Sequence, residues 1–161
     1  MIRELGFVVA LLLTAGAAAQ TVEKASVRHG GAEVPVEIAR PAGSGPWPPV
    51  LYIHAKRGYE DVDRAHILAL ARDGFLVMAP DWLAANMVER WPDRHLPETE
   101  DDVAAAFDAL LRHPQACRQP AGIVAKSRGP YFALRLAARR GRDIGALVAW
   151  YGHFQDPNAP E

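Results

Sequence analysis

The chain of 161 residues carries a single cysteine, so no internal disulfide can staple it and its stability must come from packing. Cys117 is expected as a buried thiol, since an unpaired cysteine behaves as a small hydrophobe. An excess of one charge is missing too. With 18 Lys and Arg against 19 Asp and Glu the net charge is −1, which excludes bulk attraction to nucleic acid or anionic lipid. No low-complexity run or internal repeat interrupts the chain. The six histidines include no pair with metal-ligand spacing, so neither a metal nor another cofactor is expected. The longest apolar run, residues 5–13, falls short of the roughly 20 residues that span a bilayer, so no stable membrane anchor is expected.

What the first residues do offer is a three-part leader: Arg3, the apolar run, then Thr14 and small residues ending in Ala17-Ala18-Ala19. This layout predicts a cleavable signal peptide over residues 1–19, with Gln20 as the new N-terminus and a secreted or periplasmic location. Residues 20–161 then form one domain. Hydrophobic residues at 50% and charged residues at 23% suit a soluble globular core.

Beyond the leader, residues 22–29 and 32–40 flank Gly30-Gly31, a turn pair that tolerates positive φ, and predict an antiparallel hairpin. Pro35 lacks the N–H a ladder needs, which predicts that its strand lies at a sheet edge. Residues 41–49 read as a loop. Four short apolar runs follow, at residues 50–54, 75–79, 122–125 and 146–151, apolar on both faces as strands of a covered parallel sheet are. Helical periods separate them. The first, over 61–73, carries Val62, Ala65, Leu68 and Ala69 as its apparent apolar side and ends at Gly74. The second follows Thr99 with Val103, Ala106, Phe107, Leu110 and Leu111 in one stripe, stopped by Pro114. The third follows Ser127 with Phe132, Ala133, Leu136 and Ala137, ending at Gly141. The fold class is therefore α/β, a doubly wound, mostly parallel sheet with an N-terminal antiparallel hairpin. Residues 87–97 are an active-site loop or a surface excursion. The cations Arg135, Arg139, Arg140 and Arg142 complement the end of the third helix rather than bind an anion.

The stretch Gly122-Ile-Val-Ala-Lys-Ser127-Arg-Gly129-Pro-Tyr-Phe-Ala runs a buried strand directly into a helix with a serine at the junction. A nucleophile on so sharp a turn needs small residues two before and two after it, and Ala125 and Gly129 meet that need. The same turn would lift the Ser127 hydroxyl above the sheet and aim the Arg128 N–H at a developing oxyanion. The alternative is that Ser127 caps the helix. His54 ends the first parallel strand, where a structural role is favoured. His153 follows the last strand, with Asp156 close by. His29, His66, His95 and His113 are scattered.

Taken in order, Pro49-Val-Leu-Tyr-Ile-His54 with Gly58, then Ala71-Arg-Asp-Gly-Phe-Leu-Val-Met-Ala-Pro-Asp81, the serine turn, and Ile144-Gly-Ala-Leu-Val-Ala-Trp-Tyr-Gly152 resemble the core segments of the dienelactone hydrolases, a branch of the α/β-hydrolases. The resemblance covers nearly all of residues 33–157. It implies the α/β-hydrolase fold lacking the C-terminal strands, Ser127 as nucleophile, and the N–H groups of Lys56 and Arg128 as the oxyanion hole. His54, Asp81, Trp82 and His153 would border the pocket, and a small ester or lactone would be the substrate. Ser127 and Ala55 stand where the family usually has cysteine and glutamate. The two departures agree with each other and move the expectation from a cyclic dienelactone toward esters in general. Ala125 and Pro130 replace glycines. The acid and histidine that complete the family's triad are expected beyond Glu161. The competing expectation is a catalytically inactive, truncated or small-molecule-binding protein of the same fold.

Overall fold

Gly30 and Gly31 both take positive φ, 54° and 85°, the conformation a two-residue hairpin turn requires. They join β1 (Thr21–His29) to β2 (Ala32–Arg40), which pair antiparallel with His29 opposite Ala32. The structure, a computed structural model, describes residues 21–88, 90 and 96–152. The expected signal peptide, most of the 87–97 loop, His95, His153 and Asp156 lie outside the described residues.

After the hairpin come β3 (Pro49–Ile53), α1 (Asp61–Arg72), β4 (Leu76–Pro80), α2 (Glu98–Leu111), β5 (Ala121–Ser127), α3 (Gly129–Arg140) and β6 (Ile144–Gly152). They form one sheet in the order β1-β2-β4-β3-β5-β6, in which β4, β3, β5 and β6 run parallel and β2 joins β4 antiparallel. The chain leaves β3 toward β4, then crosses back over β3 to reach β5. Right-handed crossovers in opposite directions put their helices on opposite faces. On one face α1 supplies Ile67 and Ala71 to a layer with Val50, Tyr52, Val77 and Ala79. On the other, Phe107 and Leu110 of α2 and Phe132 and Leu136 of α3 pack on Leu51, Ile53 and Ile123. Each such large side chain, fully buried, contributes about 1.5–3 kcal/mol. The reversal of direction falls between the carboxyl ends of β3 and β5, the place where ligands of open α/β sheets bind.

Three expectations need correction. Pro35 does not lie on an edge strand, because β2 sits between β1 and β4. The β2–β4 ladder begins at Val36 opposite Pro80, one residue past Pro35, so the missing N–H removes no rung; the Pro35 carbonyl still accepts the Asp81 N–H at 2.8 Å. The buried face of α1 is also different. It carries Asp63, Ile67 and Ala71, while Val62 is 43% exposed and Ala65 is exposed. The helix is turned because a carboxylate, rather than an alkyl group, occupies its buried first turn. Cys117 is half-buried rather than interior.

A charged clamp ties α1 to the hairpin. Arg64 grips Glu37 of β2 with Nε at 2.9 Å and Nη2 at 2.5 Å, and the Tyr59 hydroxyl donates to the same carboxylate at 2.9 Å. The Arg64 guanidinium holds the Glu37 carboxyl below its ordinary range, against the opposing effect of burial.

Candidate active site

Ser127 ends β5 with φ at +56°, a left-handed conformation that a non-glycine residue adopts only where its surroundings hold it. Those surroundings are tight. A Cβ on Gly129 would lie 2.6 Å from the Ile53 carbonyl oxygen and 3.2 Å from the Ala125 Cβ, so the first turn of α3 packs directly on the end of β3. Ala125 is fully buried. Both small residues the turn needs are therefore in place. Ser127 does not cap α3, since the N-cap is Arg128 and no side chain caps it. Pro130 sits in the first helical turn, where its lack of an N–H is harmless. A third small residue escaped sequence reasoning. A Cβ on Gly152 would lie 2.6 Å from both the Ser127 carbonyl oxygen and Pro130 Cγ, so β6 also closes on the turn. Only the β5–β6 register, with Ser127 opposite Gly152, discloses that role.

Ile53 lies opposite Ala125 in the parallel ladder, so the loop starting at His54 and the turn at Ser127 leave adjacent strands at the same edge. His54 is fully buried. Its ring stacks on Trp82, with centroids 5.0 Å apart and planes 11° apart, and meets the edge of Tyr59. His54 Nδ1 lies 2.8 Å from the Ala55 carbonyl oxygen. That oxygen can only accept, so Nδ1 carries the proton. The Gly58 N–H donates to the same carbonyl at 3.1 Å across a tight turn in which Gly58 takes φ at +100°. The Ala55 carbonyl and the Lys56 N–H belong to one planar peptide and point in opposite directions. Two bonds on the carbonyl thus fix where the Lys56 N–H aims, and among the described residues no backbone carbonyl takes that N–H.

Two other sequence-predicted pocket residues, Asp81 and Trp82, come together around His54. Its Nε2 stands 3.6 Å from Asp81 Oδ1, an ion-pair distance rather than a direct hydrogen bond. The Trp82 indole N–H donates to the His54 carbonyl at 3.4 Å. Burial pushes the Asp81 carboxyl up, but His54 and the N–H groups of Ala84 and Leu83 outweigh it and hold the group below its ordinary value. His54 and Trp82, at 0% and 3% exposure, are the floor beneath the loop. Asp81 is partly open to solvent.

Behind the serine turn lies a buried polar network that sequence reasoning missed. Lys126, 2% exposed, places Nζ 2.6 Å from Asp63 Oδ1. Tyr52 donates its hydroxyl to the same oxygen at 2.8 Å and meets His66 Nδ1 at 3.1 Å. The Glu60 N–H donates to Asp63 Oδ2 at 2.9 Å. Burial pushes the Asp63 carboxyl up, but these three donors hold it below the usual carboxylate range. Lys126 is committed to this pair and is no base for its neighbour. A charged residue directly before the serine was the available signal. The arginines of α3 also find partners: Arg135 and Arg139 reach Glu100 at 3.1 Å, and Arg140 pairs with Asp108 and Asp143. They clasp α2 to α3. Among the described residues no three His, Cys, Asp or Glu side chains are grouped to hold a metal ion, and no helix is long and apolar enough to cross a membrane.

A mixed sheet with helices on both faces, a positive-φ serine between β5 and α3, and a glycine packed against the neighbouring strand define the α/β-hydrolase fold. Within it the chain belongs to the dienelactone hydrolase family, whose model matches residues 34–161. Among solved structures it is similar to a putative dienelactone hydrolase from Klebsiella pneumoniae subsp. pneumoniae, at 23% identity and TM-score 0.69, over 83% of this chain and 60% of that one. It is similar to a dienelactone hydrolase from Anabaena variabilis at 20% identity and TM-score 0.65, over 83% and 64%. The dienelactone hydrolase-like promiscuous phosphotriesterase P91 from metagenomic libraries matches at 22% identity and TM-score 0.67, over 83% and 60%. The chain thus spans about 60% of the length of the first of these structures. No curated protein matches it.

Proposed function

We propose that this protein is a carboxylic ester hydrolase whose nucleophile is Ser127. The observation that carries the reading is the strained Ser127 backbone, held by Gly129 against the Ile53 carbonyl. Such a turn presents an oxygen that a helix cap would not need to present. Ser127 Oγ attacks the carbonyl carbon of a small ester or lactone and gives its proton to a base. The N–H groups of Lys56 and Arg128 receive the resulting oxyanion, the alcohol leaves with a proton, and water hydrolyses the acyl-enzyme. Asp81, above the Trp82 and His54 floor, borders the acyl or alcohol group. The base is the histidine that the family's order of segments places after the nucleophile and its acid, and the protein is exported on its leader.

A second reading is supported by the histidines themselves. Among the described residues none of His29, His54, His66 and His113 is hydrogen-bonded to Ser127, which favours binding without catalysis for these residues alone. One experiment separates the two. A chain extended through the following reading frame should be labelled by a fluorophosphonate probe, and its Ser127→Ala variant should not. The 161 residues alone should hydrolyse an activated acetyl ester no faster than their own Ser127→Ala variant, since removing one triad member costs nearly as much as removing all three. Labelling of both extended proteins would remove Ser127 from the nucleophile role.

A further inference from the structure

Asp63 takes three hydrogen bonds that come from three different parts of the site. Lys126 brings the residue before Ser127, Tyr52 brings β3, and the Glu60 N–H brings the far end of the loop that starts at His54. All of this is out of water: Asp63 is 0% and Lys126 2% exposed. A buried charge cannot leave its partner without a large desolvation loss, so the pair tolerates little change in separation. Its two ends are the nucleophile turn and the anchor of the oxyanion loop.

We infer that the Lys126–Asp63 ion pair is a brace that sets the spacing between the Ser127 turn and the Lys56 loop, and that Lys126 and Asp63 are positioning residues for ester hydrolysis. The inference rests on the reading of Ser127 and Lys56 given above. An apolar residue at position 126 would fill the same space under α1, but it would leave the loop tied to β2 and β3 and no longer to the serine turn. With the brace, displacement of the loop relative to the serine requires stretching a 2.6 Å charged contact. Oxyanion stabilisation is the step that depends on this spacing, because the donors must meet the oxygen as it becomes tetrahedral. A misplacement of about 1 Å in such geometry lowers rates about 100-fold.

The test uses the extended chain and two variants. Lys126→Met strands the Asp63 charge and should destabilise the fold, so it cannot separate the roles by itself. Lys126→Met combined with Asp63→Asn removes both charges, while the amide oxygen still accepts the Glu60 N–H and the amide NH2 donates to the Tyr52 hydroxyl, whose proton turns to His66 Nδ1. This neutral pair should melt within a few degrees of the wild type. Its kcat for a small activated ester should nonetheless fall by about 100-fold with KM within about twofold. Amide exchange at Lys56 and Gly58 should quicken about tenfold while core amides such as Leu51 and Ile123 stay protected. Wild-type kcat and loop exchange in the neutral pair would overturn the brace. Should Ser127→Ala label like the wild type, the nucleophile reading fails, and loop exchange alone then decides the brace.

Discussion

Gly129→Ala should be among the most damaging single-methyl additions available to this protein, and its size can be worked from the packing. The added Cβ would lie 2.6 Å from the Ile53 carbonyl oxygen, whereas ordinary contacts begin at 3.4 Å. Relief demands that α3 and β3 part by roughly 0.8 Å, against a close-packed interior that yields little. The obstacle is backbone, so no rotamer change can absorb the strain, and Ala125 Cβ at 3.2 Å blocks the sideways escape. Overpacking of this kind costs about 1–3 kcal/mol, which lowers Tm by roughly 2–12 °C in a domain of this size. The internal control lies at the other end of the same helix. Gly141 takes φ at −53° and an added Cβ there meets nothing within 4 Å, so Gly141→Ala should stabilise by about 0.4–1 kcal/mol through loss of unfolded-state freedom. Thermal melts of both variants in one buffer make the comparison. Gly129→Ala melting level with Gly141→Ala would refute the packed turn, and with it the strain assigned to Ser127.

Further outcomes follow from the buried charges and the sheet edge. Lys126→Met should cost about 3–5 kcal/mol at neutral pH in chemical denaturation, because it leaves Asp63 charged and alone. Asp63 is held below its ordinary pKa, so the unfolded chain binds its proton more readily; this contribution to stability is full above about pH 4 and fades as pH falls through the lowered value. A stability profile flat from about pH 5 to about pH 2 would contradict it. Burial, then the nearby Lys126 charge, pushes the His66 pKa down, so its ring resonances should titrate below the ordinary value of about 6.5, and stability linked to it should decline as pH drops through that range. An NMR midpoint at or above the ordinary value would be the wrong sign. β6 exposes Val148, Trp150 and Tyr151 and has no partner on its outer side among the described residues, so the isolated 161-residue chain should self-associate; a clean monomer by light scattering at high concentration would count against this.

Apolar runs and helical periods determined the α/β class and the place of the six strands and three α-helices among the described residues, because each reports which side of its own element meets the core. The Gly30-Gly31 hairpin and the small residues Ala125 and Gly129 were legible for a similar reason: they answer to local backbone geometry. So was the gathering of His54, Asp81 and Trp82 near the edge where Ser127 stands, once the resemblance supplied an order for the segments. The face of α1 was not legible, since Asp63 looks like a solvent residue until Lys126, Tyr52 and the Glu60 N–H are seen to surround it. Pro35 misled because a missing N–H implies an edge only where a ladder would reach it, and the β2–β4 ladder stops one residue short. Gly152 and the Lys126 brace belong wholly to tertiary structure. Periodicity describes one element at a time, while a buried carboxylate satisfied by three segments, or a glycine required by a neighbour's carbonyl, exists only after those segments have met.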